Sequence, residues 1–241
     1  MSPRPKIITS LGTLQPAILS IAWKQIAESG AAALSLRAIA RELGITAPSI
    51  YNYFPNRDAL VTALIVDGFT SFGDALEQAI NAQPETAHLL RFRAIGMAYH
   101  QWAMLHPERY HLLFGTPIAG YTAPIEITQP AASRSLSHLV AVMHEAHEAG
   151  LLKINMELPS TPQMEAMMAA WQNSGAPRVN GAVLYLAITT WAHVHGLVSL
   201  EIGQQYPPFV THTDQLYQLE IDRLMQALFT SSGELECQKN M

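Results

Sequence analysis

Residues 35–60, SLRAIARELGITAPSIYNYFPNRDAL, leave few local structures open. Ser35 suits a helix N-cap, because its hydroxyl can accept from an unpaired amide in the first turn. Leu34 and Ile39 stand where a hydrophobic staple would close around that cap. Leu36, Ile39, Ala40 and Leu43 recur at helical spacing, so one side of 36–43 is apolar. Gly44 then supplies a left-handed stop. Thr46 is expected to cap a second short helix, with Pro48 in its first turn, where a missing amide does little harm. Asn56 is expected to cap a third, whose positive end suits Asp58. The run therefore predicts two short helices joined by a tight turn, followed at once by another helix.

A major groove admits one α-helix. The second helix, read as 47–53, turns Ser49, Tyr51, Asn52 and Tyr53 outward, while Ile50 and Phe54 hold it to its neighbours. Thr46 stands at that helix's start, where phosphate is favoured.

At these residues the chain resembles the TetR family of bacterial transcriptional regulators. Ile39-Ala40, Gly44-Ile45-Thr46, Ile50-Tyr51, Tyr53-Phe54 and Arg57-Asp58-Ala59-Leu60 carry the likeness, which covers roughly 13–65 closely. It implies that Tyr51 and Arg57 hold backbone phosphates and that Pro48, Ser49, Asn52 and Tyr53 face the groove. Ser35 and Arg37 could touch the backbone from the preceding helix. Arg57 stands where the family usually has Lys, and it keeps the charge. Ala47 begins the recognition helix and offers a base no side-chain hydrogen bond.

Charge is distributed unevenly. The chain has 241 residues and a net charge of −5. Residues 1–60 hold Arg4, Lys6, Lys24, Arg37, Arg41 and Arg57 against Glu28, Glu42 and Asp58, so the acidic surplus lies in the remainder. A weakly basic head on an acidic body fits a nucleic-acid domain fused to something else. Cys237 is the only cysteine, so no intrachain disulfide can form, which fits a reducing, cytoplasmic setting. No apolar run near the N-terminus reads as a signal peptide. The uncharged stretch between Arg178 and Glu201 is long enough to span a bilayer. Its Asn180, His193, His195, Gly181 and Gly196 argue instead for a buried helix and no membrane partner.

The rest of the chain reads as helices, giving an all-α fold. An arm over 1–12 precedes a helix from about Leu14 to Glu28, ended by Gly30, with Ile18, Ile21, Ala22 and Ile26 inward. A long helix from Arg57 to about Asn81 is expected to join the three-helix DNA-binding head to a body. Further helices are predicted at Thr86–Leu105, 107–114, Ser133–Ala149, Thr161–Gln172, Asn180–Ile202 and Thr213–Phe229. Gly115, Pro117, Gly120, Pro124 and Pro130 predict a loop over 115–130. The expected division is a helix-turn-helix domain with its arm over 1–60, a dimerisation and ligand-binding body over 61–230 and a flexible tail over 231–241. Trp191-Ala192-His193-Val194-His195-Gly196-Leu197 is similar to the Trp-His-Gly motif of one C-terminal domain class in the same family. That class implies a homodimer and, in many members, a small effector.

Phe92, Met97, Trp102, Phe114, Met143 and Trp171 are candidate walls of an apolar effector pocket, with plain core packing as the competing reading. His144 and His147 share a helix face at a spacing metal sites use, but two partly exposed polar residues on an amphipathic helix are the favoured reading, and no metal or cofactor is expected. His193 and His195 point to different sides of one helix, and His195 beside Gly196 suggests a buried hydrogen bond at a close helix contact. No nucleophile elbow or phosphate loop is present. The expectation is a ligand-responsive repressor that binds a palindromic operator in double-stranded DNA as a homodimer. The alternatives are a metal-dependent or scattered-site enzyme on a helical body, and a protein-interaction module without DNA.

Overall fold

The computed structural model describes residues 11–154, 161–173 and 178–230, with side chains from Leu14 onward. Arg4 and Lys6 of the expected arm, Cys237 and the tail from 231 lie outside the described residues. The described chain is helical: α1 Leu11–Ser29, a 3-10 turn Ala31–Ala33, α2 Leu36–Leu43, α3 Ala47–Tyr51, α4 Arg57–Asn81, α5 His88–Leu105, α6 Pro107–Phe114, α7 Ile125–Glu148, α8 Pro162–Asn173, α9 Gly181–Ile202 and α10 Thr213–Leu228. Among the described residues the only β contact is an isolated antiparallel bridge between Leu152 and Phe229.

The chain divides into two compact units. One runs to Gly68 and includes Pro107–Thr128; the other comprises Phe69–His106 and the residues from Gln129 onward. Both α4 and α7 therefore contribute one part to each unit.

The first unit closes around Leu14, Ile18, Ala22 and Ile26 of α1, Leu36, Ile39, Ala40 and Leu43 of α2, Ile50 of α3, and Leu60, Val61 and Leu64 of α4. The local signals act largely as expected. Ser35 Oγ accepts from the Ala38 amide, and Asn56 Oδ1 accepts from the Ala59 amide at 2.8 Å. Gly44 has φ +67°, a conformation that glycine adopts without a Cβ penalty. The segment from 107 to 128 is tied to this unit by a shared carboxylate. Trp23 Nε1 donates to Asp67 Oδ2 at 2.7 Å, Arg109 Nη1 donates to the same oxygen at 3.0 Å, and the Arg109 guanidinium lies 4.7 Å from the centre of the Trp23 ring. The Thr62 and Tyr121 hydroxyls meet at 2.8 Å.

Three expectations need correction here. Thr46 occupies the N-cap position of α3, but its side chain caps no amide; its hydroxyl pairs with that of Ser49 at 2.8 Å. Pro48, in the first turn, has no amide to offer it. The recognition helix ends at Tyr51 rather than 53, with Asn52 as C-cap. The expected loop over 115–130 stops at 124, because α7 starts at Ile125 and carries Pro130 inside it. A proline's fixed φ suits a helix, and this one removes a single backbone bond early in α7.

The second unit packs α5 against α9 and α10, with α7 and the later part of α4 completing the core. Gly96 marks the closest approach: a Cβ there would lie 2.6 Å from Ile221 Cδ1. The Tyr217 hydroxyl donates to the Gly96 carbonyl at 2.7 Å across the same contact. α7 ends on Gly150 at φ +70°, and the Leu151 amide returns to the Ala146 carbonyl at 2.9 Å. The Asn180 side chain caps α9 by accepting from the Ala182 amide. α9, long and apolar enough to cross a membrane, buries Val183, Leu184, Ala187, Thr190, Val194 and Val198 within this unit. Gly196 is not at a close helix contact: nothing lies within 4 Å of where its Cβ would stand.

Candidate functional site

α3 is held by its buried side, where Ile50 is fully buried and Phe54 follows it into the core. The opposite side is open. Thr46, Pro48, Tyr51 and Asn52 are exposed, Tyr51 by 40%, while Ala47 and Ser49 are half-buried. Tyr53 is half-buried and packs against the core, so it is less outward than its place in a longer helix suggested. On α2, Arg37 is exposed and Ser35 half-buried, with the Ser35 amide donating to Gln25 Oε1 at 3.2 Å. Arg57 is half-buried, and its Nη2 donates to the Ala31 carbonyl at 2.8 Å. Part of its hydrogen-bonding capacity thus holds the 3-10 turn that leads into α2. The structure brings Thr46, Pro48, Tyr51 and Asn52 together as one exposed surface of hydroxyl, amide and apolar edge. Such groups can reach base edges and phosphates.

In the second unit an apolar cavity of about 30 Å³ lies among α4, α5, α7, α9 and α10. Phe72, Phe92, Ile95, Tyr99, Thr190 and Trp191 are among its walls, and no charged residue lines it. That volume holds a water or two rather than a drug-sized ligand.

Of the six expected pocket residues, Phe92 alone is a wall of this cavity. Trp102 is core: its indole N–H donates to Ser71 Oγ at 3.1 Å and its ring centre lies 4.8 Å from that of Phe72. Met143 is fully buried away from the cavity, and Met97 is half-buried outside it. Phe114 belongs to the first unit, its ring 5.1 Å from that of Tyr110. Trp171 is half-buried on α8, a helix that buries no residue. Aromatic content marked these residues, but packing decided which faces meet. Tyr99, Thr190 and Trp191 line the cavity without having been among the expected residues; of these only Trp191 lies in the Trp-His-Gly segment.

The Tyr99 hydroxyl lies 2.7 Å from His195 Nδ1, and the His195 ring stacks on Trp191. Burial pushes the His195 imidazole below its ordinary pKa. On the outer side of α9 and α10, His193 Nε2 lies 2.7 Å from Glu220 Oε1. The Arg223 hydrogen bonds, then the charges of Arg223 and His193, hold the Glu220 carboxyl below the usual range. His144 Nδ1 stands 4.0 Å from Glu148 Oε1, and among the described residues no three His, Cys, Asp or Glu side chains assemble as a metal site.

Comparison with known proteins agrees on both parts of the chain. Residues 18–64 match the family of bacterial regulatory proteins of the tetR type, and residues 92–224 match a tetracyclin repressor-like C-terminal domain. The HTH-type transcriptional regulator Mb1846 of Mycobacterium bovis is 31% identical over 193 residues, which are 80% of this chain and 82% of that protein. A solved regulatory protein, SCO4313, superposes with a TM-score of 0.71 at 30% identity, covering 92% of this chain and 98% of its own. A Rhodococcus sp. RHA1 protein of unknown function shares the fold at a TM-score of 0.69 and 24% identity, covering 95% of this chain and all of its own. With a helix-turn-helix that leaves α3 open and matches spanning head and body, the chain belongs to the TetR family of bacterial transcriptional regulators, which are DNA-binding proteins and not enzymes.

Proposed function

We propose that this regulator is a cytoplasmic, homodimeric repressor that grips a palindromic operator and releases it when a small, uncharged effector enters the body. The observation that carries the DNA part is the exposed side of α3, with Thr46, Pro48, Tyr51 and Asn52 uncovered while Ile50 anchors the helix. Asn52, Ser49, Ala47 and Pro48 meet bases, with Tyr53 at the margin of the contact. Tyr51, Thr46, Ser35 and Arg37 meet the backbone, as do the guanidinium donors of Arg57 that do not hold the 3-10 turn.

The dimer forms through α9 and α10. Ala192, Gly196 and Leu200 lie uncovered on α9, and Leu216 and Leu219 on α10, the last 67% exposed. Two small residues and a leucine on α9, with two leucines on α10, suit pairing with their own copies around a two-fold axis. Two recognition helices then engage half-sites about one DNA turn, roughly 34–36 Å, apart.

The effector enters the cavity of the second unit. Its uncharged walls disfavour a buried ion, which would have no partner there. α4 supplies Phe72 and Leu76 to those walls and Leu60, Val61 and Leu64 to the core of the head. A ligand that binds a wider cavity better than the closed one shifts the population toward a second geometry of this helix. About 1–3 kcal/mol of such coupling changes operator occupancy about five- to a hundredfold.

Selection of bound sites from random duplex DNA, followed by release with a panel of uncharged small molecules, tests this reading. A selected palindrome released by at least one of them supports it. Selection of no sequence, with binding that salt does not weaken, contradicts it.

A further inference from the structure

The geometry points to Thr190 as the polar handle of the body cavity, and therefore to an effector that carries one uncharged hydrogen-bonding group, such as a hydroxyl, on an apolar frame. The inference rests on the effector reading above and specifies its chemistry.

Three hydroxyl side chains are both buried and part of the cavity wall: Tyr99 on α5, Ser135 on α7 and Thr190 on α9, and the Tyr99 hydroxyl is paired with His195 Nδ1 at 2.7 Å. They differ in what they already do. Ser135 Oγ donates to the Ala132 carbonyl at 2.9 Å, which leaves that oxygen only as an acceptor. Thr190 is 6% exposed, and among the described residues its hydroxyl makes no hydrogen bond. Its neighbour Thr189, by contrast, donates to the Tyr185 carbonyl of its own helix at 3.0 Å. The side-chain polar atoms that are both sealed from solvent and unpartnered are His88 Nδ1, His138 Nε2, His144 Nδ1 and Thr230 Oγ1 among the described residues. Thr190 is not one of them, so its oxygen borders open space, and the space it lines is the cavity.

A buried hydroxyl without a partner carries a free-energy penalty. A water bridging Thr190 and Ser135 would have two partners, at the low end of the 2–4 polar partners that hold a buried water. A ligand hydroxyl that reproduces those bonds displaces such a water with little loss, while its apolar part covers Phe72, Phe92, Leu139 and Trp191. The closed cavity of about 30 Å³ is too small for a ring, so the ligand must move the walls apart. That requirement links its binding to a change of geometry.

The test compares phenol and toluene, two rings of similar size with and without a hydroxyl, on the full chain. Binding of each is measured by calorimetry to wild type, Thr190→Val and Thr190→Ser. The inference expects wild type to bind phenol, and Thr190→Val to weaken phenol relative to toluene by about 10-fold or more. Thr190→Ser should keep the wild-type ratio. A merely structural role would weaken both probes together and leave the ratio unchanged, which would overturn the inference, as would toluene binding to wild type without phenol. If neither probe binds wild type, the effector reading of the cavity fails with it. Should Thr190→Val not fold, Thr190→Ala makes the same comparison.

Discussion

Arg57, the first residue of α4, donates from Nη2 to the carbonyl oxygen of Ala31 at 2.8 Å. One side chain thereby fastens the turn between α1 and α2 to the start of α4, beside the phosphate contact proposed for it. Two substitutions separate these roles. Arg57→Ala should weaken operator and random duplex alike and lower the slope of log affinity against log salt by about 1, as loss of one phosphate contact does. Arg57→Lys should retain most of that slope but melt at a lower temperature, because an ammonium cannot reproduce the guanidinium fork. Equal salt slopes in wild type and Arg57→Ala would remove the phosphate role and leave the clamp.

Asn52 is exposed at the end of α3. Asn52→Ala should relax preference at particular base positions, by about 1–3 kcal/mol for a good bidentate contact, with no change in salt slope. Profiles of selected sites from the two proteins check this; identical profiles would take Asn52 out of base readout.

Leu184 and Ala192 sit on one helix with opposite surroundings. Leu184 is 1% exposed within its own unit, so Leu184→Glu should unfold the body by burying an unpaired charge. Ala192 is uncovered, so Ala192→Glu should leave a folded chain that sediments as a monomer at micromolar concentration. A dimer of unchanged affinity in Ala192→Glu would move the interface elsewhere.

The lowered pKa of His195 has a stability consequence. Burial favours its neutral form in the folded state, so the unfolded chain binds more protons just below the usual histidine value of 6.5. Its contribution is complete above that pH and is lost as pH falls from there through the folded-state value. His138, also lowered first by burial, acts in the same direction. Melting temperature should therefore fall on acidification below about 6.5, and less steeply in His195→Gln. An identical pH slope in the variant would contradict the assignment.

Much of the head was legible because its signals are local. Ser35, Gly44 and Asn56 each act through bonds or dihedrals within a few residues, and those effects do not depend on the rest of the molecule. Thr46 and Pro130 misled because each was read as punctuation alone. Thr46 had a closer partner in Ser49, and α7 accommodates Pro130 near its start. The cavity was hardly legible. α5 buries Leu89, Phe92, Ile95, Gly96, Tyr99, Trp102 and Ala103 but divides them among different neighbours, and periodicity does not say which of those faces borders a void. Nor did sequence announce that Arg109 and Trp23 share Asp67, since that triad joins residues far apart in the chain.

The most direct test is titration of the full chain onto a selected pseudo-palindrome and onto a duplex with one half-site scrambled, at two salt concentrations. The account predicts a two-fold-symmetric footprint with half-sites about one helical turn apart. It also predicts tighter binding to the intact site by about 10³-fold or more over random duplex, weakening steeply with salt. Equal affinity for the intact and scrambled duplexes at both salt concentrations would contradict it.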